Sequence, residues 1–123
     1  MNQKNRSSST HAALPFLQSY LLYRRMLDGN RYARSLVESS EEGRRLSADS
    51  ALMKSHMMSV RSFILSLPDC REKMLLYYRY LFGYPMEKCA ELLQVSRRTV
   101  FRISEEALRF ADEYYDEKRN FWG

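Results

Sequence analysis

Histidine, cysteine, proline and glycine are all scarce in this chain: two His, two Cys, three Pro and four Gly among 123 residues. Two cysteines, Cys70 and Cys89, are too few for a disulfide framework and match no zinc-ligand spacing. As lone thiols they are expected to lie buried in helices. His11 and His56 stand far apart, and there is no Gly-rich phosphate loop, Ser/His/Asp set or Cys/His set. An enzyme is therefore the class least expected, and no cofactor or metal is implied. No apolar run approaches the roughly 18 residues of a membrane span. The polar first ten residues do not read as a secretory signal. The expectation is a cytoplasmic protein without membrane association.

What is present points to a helical domain. Apolar residues make up 45% and charged residues 28%, which excludes a disordered or fibrous chain. The net charge is +5, but it is unevenly placed. Residues 1–70 carry ten basic and six acidic groups (+4), residues 71–102 seven and three (+4), and residues 103–123 three and six (−3). A basic stretch followed by an acidic end says more about partners than the total does.

Residues 1–12 read as a disordered polar start, and residues 13–66 as a helical arm. Leu14, Leu17, Leu21 with Tyr20, Tyr23 and Leu27 recur at helical spacing. Asp28-Gly29-Asn30 marks a turn or kink, and Ser39 to Asp49, lacking apolar periodicity, reads as a loop. A second helix is expected to begin near Ser47 or Asp49. Its seam of Met53, Met57, Val60, Ile64 and Leu67 suits an antiparallel partner, with the Leu14–Leu27 helix favoured over a second copy. Leu67-Pro68-Asp69 then breaks the helix and opens a third, which runs to about Phe82 and stops at Gly83. No strand-like alternation competes, so the fold class is all-α.

The segment from Tyr84 to Arg109 carries the functional signal. Pro85 to Gln94 forms a short helix with Cys89, Ala90 and Leu93 on one face. Val95-Ser96 turns the chain, and the Ser96 hydroxyl can cap a long helix that starts Arg97-Arg98-Thr99. The small Ala90 lets the two helices cross closely, while Val95, Val100 and Ile103 lock the second at its angle. This is the layout of a helix-turn-helix. Opposite the buried side stand Ser96, Arg97, Arg98, Phe101, Arg102 and Glu105, at the end of a recognition helix that meets base edges in the major groove. Arginine forks bond guanine or phosphate, and a helix N-terminus favours anions. The plainer alternative is a solvated basic patch on an ordinary helical hairpin.

Leu67-Pro68, Arg71, Leu75, Arg79-Tyr80, Gly83, Glu87, Ala90, Leu93, Val95-Ser96-Arg97-Arg98-Thr99-Val100 and Ala107-Leu108 resemble region four of bacterial sigma factors. More narrowly, the chain is similar to the small ArpU-type regulators of Gram-positive phages and mobile elements, where a helical arm precedes such a unit. The resemblance spans about residues 66–110. It implies that Ser96, Arg97, Arg98, Phe101 and Arg102 face double-stranded DNA, with Lys88 and Arg79 as phosphate contacts. Four positions depart from the family pattern: Gln94 for a turn Gly, Pro85 for a Ser/Thr cap, Lys88 for an acid and Cys89 for Ile. Nothing resembles the minus-ten promoter-binding region of a full sigma factor.

The expected architecture is thus an antiparallel helical arm followed, over residues 67–123, by a sigma-region-four-like helix-turn-helix with a long C-terminal recognition helix. The expected function is sequence-specific transcriptional regulation, the phage or mobile-element setting being implied by the resemblance alone. A homodimer or RNA polymerase is the expected partner, since one such unit makes few base contacts. The alternatives are a packaging protein such as a small terminase subunit, or a module that binds RNA polymerase without reading DNA. The acids at 105–106, 112–113 and 116–117 read as a solvated face. Tyr77, Tyr78 and Tyr80 read as core and rim. Tyr114, Tyr115, Phe121 and Trp122 are expected to fold back on the arm, closing a dimer being the alternative.

Overall fold

Helical periodicity in the sequence becomes helices in space with few exceptions. The computed structural model describes residues 11–36 and 41–122, with side chains except at positions 34, 35 and 117–122. The helices are α1 (Leu14–Leu36), α2 (Glu41–Ser66), α3 (Arg71–Leu76), α4 (Met86–Leu93) and α5 (Arg97–Trp122); α3 runs on into a π-helical segment, Tyr77–Leu81. The fold is all-α, with no strand among the described residues. None of these helices is long and apolar enough to cross a membrane.

The first two helices pair as an antiparallel hairpin. Phe16 lies against Phe63, Ser19 Oγ meets His56 Nε2 at 2.7 Å, and Asn30 Nδ2 donates to Ser50 Oγ at 3.4 Å, so positions advance on one helix as they recede on the other. The expected seam is in place: Met53, Val60, Ile64 and Leu67 are buried and Met57 partly so. Two expectations are corrected. Asp28-Gly29-Asn30 neither turns nor interrupts α1, and from within the helix Asn30 reaches Ser50 of α2. The stretch read as a loop over 39–49 is helical from Glu41 onward, while residues 39 and 40 lie outside the described residues. Its inward positions are Gly43 and Ser50, residues too small and polar to produce an apolar period. Glu41 and Glu42 in the first turn favour the positive end of the helix dipole.

Pro68 ends α2 as expected, and the next helix opens at Arg71 with Cys70 as an extended cap that makes no side-chain bond. Lys73 Nζ ties the junction, donating to Leu65 O at 3.0 Å and Asp69 Oδ1 at 2.9 Å. The core takes side chains from both sides of this break: Leu17, Val60, Ile64, Leu75, Leu76, Cys89, Val100, Ile103, Ala107 and Ala111 are all fully buried. Each large aliphatic among them contributes about 1.5–3 kcal/mol by leaving water. The end of α5 closes on the hairpin through Tyr115, whose ring lies 5.2 Å from Phe16 and 6.0 Å from Phe63. Tyr114 pairs instead with Phe110 on its own helix at 5.1 Å. The side chains of Phe121 and Trp122 lie outside the described set, as do residues 1–10 of the start expected to be disordered. His11, within that expected segment, is buried.

Candidate nucleic-acid interface

Two left-handed residues shape the approach to α5. At Gly83 (φ 76°) the π segment ends, and an added Cβ would meet Leu21 Cδ1 at 3.2 Å. Here the positive φ favours glycine, and a larger residue would also have to displace the Leu21 side chain by a few tenths of an ångström. The widened turn before it is held by Phe82 N–H to Tyr77 O (3.3 Å) and Tyr84 N–H to Tyr78 O (3.1 Å). Tyr77, Tyr78, Phe82 and Tyr84 pack around this corner, and Tyr77, Tyr78 and Tyr80 lie partly buried against the core, their expected place as core and rim. Arg79 is half-buried at the same corner and donates Nη1 to Tyr84 O at 2.9 Å. It braces the entrance to α4 from within.

The second left-handed residue is Gln94 (φ 58°, ψ 47°), just past α4. Its N–H bonds Glu91 O at 3.1 Å and the Val95 N–H bonds Ala90 O at 3.0 Å, the paired closure of a Schellman motif. Gln94 thus adopts a left-handed conformation that glycine takes at lower steric cost. Pro85 serves as the α4 cap through its carbonyl alone, accepting from Lys88 and Cys89 N–H at 3.0 and 3.1 Å. Ser96 caps α5 as expected: its Oγ accepts from Thr99 N–H at 3.1 Å and donates to Thr99 Oγ1 at 2.9 Å. Cys89, Ala90, Val100 and Ile103 are buried and Leu93 and Val95 partly buried, the expected inner face. Burial raises the Cys89 thiol pKa, and its Sγ points at Tyr84 O, 3.9 Å away, so this thiol is unreactive.

The outer face of α5 begins with Arg97, Arg98, Phe101 and Arg102, all exposed. The Arg97 guanidinium sits 5.9 Å from the Phe101 ring centroid, a cation–π contact that orders both. No carboxylate among the described residues lies within ion-pair distance of Arg97, Arg98 or Arg102. Three guanidinium groups are thereby available over about 7.5 Å of helix axis, at the end where backbone N–H groups also favour anions. Lys88, exposed on α4, is 3.8 Å from Glu91 Oε1. The structure therefore brings Ser96, Arg97, Arg98, Phe101 and Arg102 together, places Lys88 beside them in sequence on α4, and turns Arg79 to a bracing task.

One group escaped the sequence reading. His11 Nε2 lies 2.8 Å from Glu105 Oε2 and Nδ1 lies 2.7 Å from Asp112 Oδ2, and Asp112 Oδ1 accepts the Ala13 N–H at 2.9 Å. Glu106 meets Arg71 at 3.8 Å. These acids are thus partly a docking edge for α1 and α3, where the sequence suggested only a solvated face. The seven-residue spacing of Glu105 and Asp112 put both on one stripe of α5. Nothing local tied either to a histidine some hundred positions earlier. No known protein family, curated protein or solved structure matches this chain.

Proposed function

We propose that the chain is a sequence-specific transcriptional regulator that binds double-stranded DNA, with α4, the Gln94 turn and α5 acting as a helix-turn-helix. The observation that carries this reading is the cluster of Arg97, Arg98 and Arg102, exposed and without acidic partners among the described residues, on the capped first turns of α5. Arginine forks in that position reach guanine edges or phosphates in a major groove. The resemblance of residues 66–110 to sigma region four adds a phage or mobile-element setting and RNA polymerase as a candidate partner.

The test is selection of bound sequences from a random DNA pool, followed by binding to the winning site. Arg97→Ala with Arg98→Ala is expected to weaken that binding by roughly a hundredfold, two contacts at about 1–3 kcal/mol each. Affinity also falls steeply with salt. Wild-type affinity in the double variant would remove this face from the mechanism.

A packaging protein of the small-terminase kind is the second reading. The hairpin leaves Leu22, Met26, Leu36, Leu52 and Met58 exposed, apolar surface on which copies can assemble. Light scattering separates the two: a monomer or dimer supports the regulator, a large ring the packaging protein.

A further inference from the structure

The contact of His11 with α5 has a chemical peculiarity. Both imidazole nitrogens face carboxylate oxygens, at 2.7 and 2.8 Å, and the residue is only 8% exposed. A neutral imidazole has one N–H and one lone pair, so it satisfies one such partner and repels the other. Only the imidazolium donates to both. Asp112 engages both oxygens, Oδ1 accepting the Ala13 N–H at 2.9 Å while Oδ2 faces His11 Nδ1.

We propose that protonated His11 is a clamp that fixes the chain's entry into α1 against α5 and pairs with Glu105 and Asp112, so that the net charge α5 shows to DNA depends on the His11 proton. The clamp itself stands on the geometry; its effect on DNA rests on the proposed function. Glu105 lies on the same stripe of α5 as Arg98 and Arg102, seven and three residues on. With His11 charged, its carboxylate is occupied. Once the proton leaves, Glu105 keeps only the long Arg109 contact at 4.0 Å, and one more net negative charge stands one turn beyond Arg102, where it repels phosphate and competes for the guanidinium groups.

The other groups around the cluster are few. Arg109 Nη1 reaches Glu105 Oε2 at 4.0 Å from the far side. Tyr80 of the π segment has its phenol pKa raised, first by burial and in part by the Glu105 charge, and so stays neutral. For His11, burial disfavours the charge, but the hydrogen bonds and negative charges of Asp112 and Glu105 outweigh it and raise its pKa above the ordinary 6.5. A raised histidine pKa gives stability that is complete below about pH 6.5 and is lost as pH rises through the folded value.

The experiment compares wild type with His11→Gln; His56 remains in both, so any shared pH dependence cancels. Imidazole nitrogen NMR of the wild type should show His11 protonated on both nitrogens at neutral pH. Its thermal midpoint should fall between about pH 6 and about pH 9 more than that of His11→Gln. At fixed ionic strength, wild-type affinity for the selected site should fall at least about fivefold over the same interval, while His11→Gln stays weak and level. A His11 ring with one proton at neutral pH would overturn the clamp, as would a His11→Gln stability profile parallel to wild type. If no DNA site is found, the proposed function fails, yet the NMR and thermal profiles still decide the clamp.

Discussion

Over its first turns α5 holds Arg97, Arg98 and Arg102 in solvent, with no described carboxylate within ion-pair distance. From Glu105 to Asp112 the same helix holds acids that are bound: Glu105 and Asp112 to His11, Asp112 also to the Ala13 N–H, and Glu106 to Arg71. The two stretches share one amphipathic pattern and one buried side, yet they stand in opposite relation to the rest of the molecule. Acids with partners in the chain hold helices together. Arginines without described acidic partners do not, and this contrast is the physical basis on which we propose an interface at the N-terminal end of α5.

The comparison is open to test from the inside outward. Ile103 lies fully buried beneath the basic end. Ile103→Ala is expected to cost about 2–5 kcal/mol in chemical denaturation. The Arg97/Arg98 double substitution on the opposite side of the same turns should change stability by no more than about 0.5 kcal/mol. A large loss in the double variant would mean that the arginines serve the fold after all.

At the acidic end, Asp112→Asn should cost about 1–3 kcal/mol near neutral pH, since it removes the charge that receives two donors at a part-buried site. Its effect should shrink at high pH, where His11 has lost its proton. Thermal unfolding across pH measures both. A smaller effect is expected at the turn that presents the basic end. Gln94→Gly relieves a left-handed residue and should stabilise by about 0.5–1 kcal/mol, the gain offset in part by glycine's greater freedom when unfolded. A loss of stability there would show that the Gln94 side chain supports the turn.

The features legible from the residues were those with local causes. Ser96 caps α5 because a hydroxyl three residues before Thr99 reaches its N–H; Pro68 and Gly83 end helices through their own backbone limits. Cys89, Ala90, Val100 and Ile103 face inward because periodicity alone puts them on one side. The left-handed turn at Gln94 is not legible from its residue type, which disfavours positive φ; the two backbone bonds and the partly buried Leu93 and Val95 beside it hold it there. Residues 41–49 show no apolar period because the buried positions at this end of α2 are Gly43 and Ser50, which carry no hydrophobic signal.

The sequence by itself determined the all-α class, the breaks between the later helices, and the arginine face with its cap, since each depends on residues at most a few positions apart. The tertiary structure decided the continuity of α1 through Gly29, the helical start of α2, the inward turn of Arg79 and the enclosure of His11 by Glu105 and Asp112. Asn30 needs α2 beside it, Arg79 needs the corner at Tyr84, and His11 meets side chains 94 and 101 residues away. Contacts at that separation exist only once the core has brought α1 and α5 together.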